Sequence, residues 1–155
     1  RGTLTDEDRY KINEHIMQTI VMLNKLPFPR TMANVPVIAG GHHERMDGKG
    51  YPYQLTYKQM SIPVRMMAIA DVFEALTAAD RPYKPGKLLS EALSIMVNMV
   101  NENHLDRELF ILFLQSGIWH EYAVVHLQAD KIDPIDIPVL LQRIGHQDIS
   151  LAQTA

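Results

Sequence analysis

The stretch Val64-Arg-Met-Met-Ala-Ile-Ala-Asp-Val-Phe-Glu-Ala-Leu76 decides how this chain is read. It is nearly all apolar, and Val64, Met67, Ala68, Asp71 and Ala75 share one face at helical spacing. Pro63 suits the first turn of a helix, where its missing N–H would have no partner anyway. The spacing therefore predicts a helix from Pro63 to about Ala79. Asp71 is its anomaly. An ionised carboxylate on an apolar face needs a partner, because burying it alone is costly. A metal ion is one such partner. A salt bridge to Arg65 or Arg81 is the other, and the helix alone favours the salt bridge.

Upstream, Thr5-Asp-Glu-Asp8 has the form of a capping box. A helix should follow to about Leu26, with Ile12, Ile16, Ile20 and Leu23 as its apolar stripe and Pro27 and Pro29 as its stop. A second helix is expected from about Met32 to His43, interrupted or started late by Pro36. Glu44 to Ile62 reads as a long loop rich in turn formers, and loops of that length usually carry function. Downstream, Asp80-Arg-Pro-Tyr-Lys-Pro-Gly86 is another loop. Ser90 is placed as the cap of a helix through Val100, and Asp106 as the start of one through Gln115. Trp119 to Leu127 forms a further candidate. The Asp133-Pro and Ile137-Pro steps read as an extended or turning tail. No internal repeat, low-complexity tract or convincing strand is visible, so the fold class is all-α.

The 155 residues suffice for one compact domain, and 46% hydrophobic with 21% charged residues is the balance of an ordinary soluble protein. A net charge of -3 gives no global basic field, which argues against DNA or RNA as a partner. Any anionic substrate must be held by local cations or by metal ions. Cysteine is absent, which removes disulfides, zinc–thiolate sites and thiol nucleophiles together and suits a reducing cytosol. No apolar run approaches the roughly 20 residues of a membrane span.

The candidate ligands begin with His42-His43. Imidazole is a common ligand for zinc, iron and manganese. Neighbours on a helix point about 100° apart. An adjacent pair can therefore serve one centre only at a helix end, or by bridging a cluster of metals. Taken alone the pair is weak evidence, since surface histidine pairs are common. His15 points toward the apolar stripe, where a hydrogen-bonded core histidine is the commoner outcome. His104, His120, His126 and His146 have no motif around them and read as surface or capping residues.

The loop Gly41-His-His-Glu-Arg-Met-Asp-Gly-Lys-Gly-Tyr-Pro52 changes these odds. Without a gap it resembles the His-His-Glu-x-x-Asp-Gly-x-Gly-Tyr-Pro signature of HD-GYP domains, helical members of the HD hydrolase superfamily. The resemblance continues through Ile62-Pro63, Ala70-Asp-Val-Phe-Glu-Ala-Leu-Thr77 and Asp80-Arg-Pro-Tyr-Lys84, and upstream through Leu4-Thr-Asp-Glu7 and His15. It covers roughly residues 1 to 115, leaving 116–155 as a C-terminal extension. Gln54 departs from it, standing where many members place glycine.

The resemblance implies a cyclic di-GMP phosphodiesterase with two or three divalent metal ions, iron or manganese. It implies His15, His42, His43 and Asp71 as metal ligands, and Arg81 and Lys84 as groups holding the phosphate or base of the substrate. Gly50, Tyr51 and Pro52 would form a loop that meets partner domains such as diguanylate cyclases. The family's namesake His-Asp pair, with a following Lys, would precede His15, and no His-Asp dipeptide occurs in these 155 residues. The catalytic acid is therefore not assigned. The expectation is a C-terminal portion of one HD-GYP domain, an HD-like helical bundle incomplete at its N-terminus. Arg1-Gly-Thr-Leu-Thr5 opens onto a helix without an initiator Met, as a piece of a longer chain would. The domain is expected in the cytoplasm, with a sensor or membrane domain upstream in the parent. The alternative is a non-catalytic module binding nucleotides or partner domains. With upstream helices missing, the face carrying Ile12, Ile16, Ile20, Val64, Met67 and Ala68 is expected to lie open. A second copy or helix exchange would then cover it.

Overall fold

The structure, a computed structural model, describes residues 16–78 and 86–145. Helices account for its regular structure, and among the described residues the only strand-like pairing is an isolated antiparallel bridge between Asp47 and Thr56. The all-α expectation holds. Two compact units divide at Ala68.

In the first unit, helix α1 is described over 16–24 and α2 over Val35–Gly41. Helix α3, Ile62–Thr77, begins here and runs on unbroken past Ala68. Of the expected stripe of α1, Ile16 and Ile20 are buried at i, i+4 and Leu23 is half-buried, while Ile12 lies outside the described residues. Pro27 and Pro29 lie in the irregular segment that follows it. The expected helix from Met32 is split. A 3-10 turn covers Arg30–Met32, and α2 starts late with Pro36 in its first turn. That is where a residue without an N–H costs least.

The tight point of this unit is Gly40-Gly41 at the end of α2. A Cβ on Gly40 would stand 2.7 Å from the Ile20 side chain, and one on Gly41 would stand 2.8 Å from Val64 Cγ1. Two hydrogens in place of methyl groups let α1 and α3 close onto α2. Their closure buries Ile16, Ile20, Val64 and Ala68 within the chain. The expectation that this face lies open is therefore wrong for those four residues. Met67 alone among the described members stays exposed, at 42%, and Ile12 lies outside the described residues. Neither dimerisation nor helix exchange is needed to cover those four residues.

In the second unit, α4 (Leu89–Asn101) buries Leu89, Ala92, Leu93, Met96, Val97 and Val100, a 3-4 spacing along one side. Helix α5 (Arg107–Ser116) and α7 (Ile137–Gly145) pack on it, and α6 (Ile118–His126) packs on α5. Phe110 and Leu114 fill the space beneath α5, and Phe73 on α3 meets the edges of Phe113 and Tyr122. Asp106 starts α5 as expected, its carboxylate accepting the Leu109 N–H at 3.0 Å. Buried Trp119 donates its indole N–H to the Leu114 carbonyl at 3.0 Å.

Two expectations fail here. Ser90 does not cap α4, which starts one residue earlier. The Ser90 backbone N–H and hydroxyl both donate to the carboxylate of Asp133, so the first turn is capped from 43 positions away. The tail after Asp133 is extended only as far as Asp136. Its carboxylate accepts the Val139 N–H at 3.0 Å and opens α7, with Pro138 in the first turn. Leu140 and Ile144 are then buried, and Arg143 donates to Ser94 and Asn98 on α4.

Candidate metal centre

Helix α2 ends at Gly41, and His42 is its C-cap. The His42-His43 pair thus leaves the helix at its end, the one place where adjacent imidazoles can be turned together. Their ring centroids lie 4.1 Å apart. His42 Nδ1 lies 2.7 Å from the Ala39 carbonyl oxygen. A carbonyl cannot donate, so Nδ1 carries the proton and Nε2 keeps the lone pair a metal needs.

Val64 seats α3 against Gly41, and Asp71 lies seven residues further along that helix, on the face that holds Val64 and Ala68. His42, His43 and Asp71 each offer one ligand atom, and these atoms all lie within 4.8 Å of one another. All three residues are half-buried.

The loop after His43 is folded back on itself. Glu44 is 1% exposed, and its two carboxylate oxygens accept the backbone N–H groups of Tyr53 at 2.6 Å and Leu55 at 2.9 Å. Gly50 passes so close to the backbone of Glu44 and Arg45 that a Cβ would fall 2.4 Å from it, a contact only glycine permits. The Tyr51 N–H donates to the His43 carbonyl, and the Tyr51 ring stacks on the His43 ring at 4.9 Å. Arg45 bonds both oxygens of Asp47. That guanidinium holds the Asp47 carboxyl below its usual range against the opposing effect of desolvation, helped by the Lys49 N–H. Gln54 has φ +53, the left-handed region that favours glycine, so its departure from the signature falls at a strained position.

The structure thus brings three of the expected ligands together. His15, Arg81 and Lys84 lie outside the described residues. Gly50 is buried, and Tyr51 and Pro52 are half-buried. His120 and His126 are exposed and His104 is half-buried. Glu44 stands within the signature, but the sequence alone gives it no role. Its signal was faint: an acidic residue beside a glycine-rich turn, where amide groups need acceptors.

Two imidazoles and a carboxylate are donors suited to divalent first-row ions such as zinc, iron and manganese. The carbonyl behind His42 is the kind of outer partner that orients a ligating imidazole. On donor chemistry and orientation, the residues present fit a divalent metal ion.

The sequence profile of the HD domain family matches residues 1–109. Among curated proteins, a cyclic di-GMP phosphodiesterase of Pseudomonas aeruginosa is 36% identical over 132 residues, 84% of this chain and 31% of the relative. A 3'3'-cGAMP-specific phosphodiesterase of Vibrio cholerae is 45% identical over 79 residues, 51% of this chain and 18% of the relative. A cyclic di-GMP phosphodiesterase of Thermotoga maritima is 36% identical over 91 residues, 59% of this chain and 24% of the relative. The chain therefore spans about a third or less of these relatives. No helix among the described residues is long and apolar enough to cross a membrane.

Proposed function

This chain belongs to the HD domain family, and from that membership we propose that it is the C-terminal portion of an HD-GYP domain that hydrolyses cyclic di-GMP. The observation that carries the reading is the convergence of His42, His43 and Asp71 within 4.8 Å, supported by the ungapped signature from Gly41 to Pro52. HD domains bind divalent metals. In this reading His15 joins the three described ligands, and the ions are iron or manganese, two or three in number. When bound, such ions supply Lewis acidity toward phosphate oxygens and lower the pKa of water to near neutrality.

The chain's own residues then hold and orient. His42 presents Nε2 because Nδ1 is engaged by Ala39, and Tyr51 lies against the His43 ring. Arg81 and Lys84 supply the positive charge that a dianionic cyclic dinucleotide needs, by charge-assisted hydrogen bonds to its phosphates or base. Net hydrolysis adds water across one phosphodiester to give linear pGpG, and a second addition gives GMP. The lack of cysteine suits the cytoplasm, where this reading places the domain.

The absence of a His-Asp dipeptide favours a second reading for these residues, a non-catalytic module that binds nucleotides, or diguanylate cyclase domains through Gly50, Tyr51 and Pro52. One experiment separates the two. Cyclic di-GMP and 3'3'-cGAMP are incubated with manganese or ferrous iron and with two proteins: the 155-residue chain and the longest polypeptide encoded in frame with it. Products are resolved by chromatography. We expect pGpG from cyclic di-GMP with the longer protein, abolished by chelation and by Asp71→Asn, and little turnover by the 155 residues alone. Tight nucleotide binding with no product from either protein would support the module instead.

A further inference from the structure

The buried carboxylate of Glu44 adjoins His43 but is not among the groups that converge with Asp71. Its two oxygens instead accept the backbone amides of Tyr53 and Leu55. Those two contacts fasten the far side of the loop to the residue that follows His43. Between them the chain must turn, and Gly50 supplies the turn by passing against the backbone of Glu44 and Arg45. The result is that Tyr51 bonds the His43 carbonyl and lays its ring over the His43 imidazole. A single carboxylate thus sets the position of an aromatic ring that in turn restricts a candidate ligand.

Resting on the metal reading above, we infer that Glu44 is a positioning residue for the metal centre, acting through the loop and Tyr51 to hold the His43 ring. The chemistry demands a carboxylate at this position. Two N–H donors need two acceptor oxygens, and burial raises the cost of leaving either one unpaired. Glutamine has one acceptor and turns an NH2 group against the second donor. Glu44→Gln therefore frees one side of the loop with almost no change in volume.

The experiment uses the whole 155-residue chain and two readouts. The first is the His43 ring resonance in metal-free protein, assigned by comparison with His43→Gln. The stacked Tyr51 ring shifts it by its ring current, and Glu44→Gln should return it toward the value of an unstacked histidine. The second is manganese affinity by titration, which should fall about ten-fold or more, the usual effect of losing a group that orients a ligand. Tyr51→Leu, which leaves Glu44 in place, should do the same, whereas Tyr51→Phe should keep both the shift and the affinity. Asp133→Asn, in the other unit, controls for general destabilisation: it should lower the thermal midpoint and move neither readout. Manganese bound equally by wild type and Glu44→Gln, with an unmoved His43 resonance, would overturn the inference and leave the metal reading standing. Should Glu44→Gln not fold, an unmoved His43 resonance in Tyr51→Leu would overturn it equally. Failure of the metal reading has its own signature: wild type itself takes up no manganese, and the inference falls with it.

Discussion

At the scale of single residues, the centre depends on atoms that are missing as much as on those that bind. Gly41 stands immediately before His42, and its absent Cβ is what lets Val64 seat α3 there. Val64 is β-branched and has one strongly preferred rotamer in a helix, so it cannot easily turn away. Gly41→Ala should therefore force a backbone shift. The expected cost is about 1–3 kcal/mol, read from urea denaturation. Combining Gly41→Ala with Val64→Ala should cost clearly less than the sum of the two single changes, because the second removes the clash created by the first. Strict additivity would mean that the contact is not the source of the strain. The histidine pair itself was visible in the sequence. So was its place at a helix end, since the helix expected to run to about His43 stops at Gly41 with His42 as its C-cap; the start of α2 was the less legible end, because Pro36 could interrupt the helix or delay it.

At the scale of elements, local signals were legible and distant ones were not. Asp106 caps the helix that its own sequence announces, accepting an N–H only three residues away. The start of α4 could not be read locally, because its capping carboxylate, Asp133, comes from 43 residues away. The same contact makes a pH prediction. Desolvation pushes the Asp133 carboxyl up, but the hydroxyl and backbone N–H of Ser90 outweigh it and hold the group below its ordinary 3.8. A carboxyl whose folded-state value is depressed contributes its stability in full above 3.8, and that stability is lost as pH falls through the folded value. Thermal midpoints should therefore drop on acidification below 3.8 more steeply in wild type than in Asp133→Asn. Parallel curves would show that this carboxylate does not couple folding to protons. Helix α7 was missed for a related reason. Ile137-Pro reads as part of an extended or turning tail, whereas Asp136 ahead of it is a cap and the proline sits in a first turn. The Asp136-x-Pro138 pattern was there to be read as a helix start.

At the scale of the whole molecule, the proposed reading separates metal binding from turnover. The chain spans 31% of one phosphodiesterase relative and 18% of another, and the His-Asp pair expected of a complete centre does not occur in it. Yet His42 and His43, at the end of α2, and Asp71, on α3, are all present and converge. These residues should therefore take up a metal ion even where catalysis is weak. X-ray absorption at the manganese edge of the metal-loaded 155-residue chain tests that claim most directly. It should show imidazole scattering from the first shell, reduced in His42→Ala and His43→Ala, and manganese uptake should be lost in Asp71→Asn. A spectrum of water oxygens alone, unchanged in these three variants, would mean that His42, His43 and Asp71 do not form a metal centre.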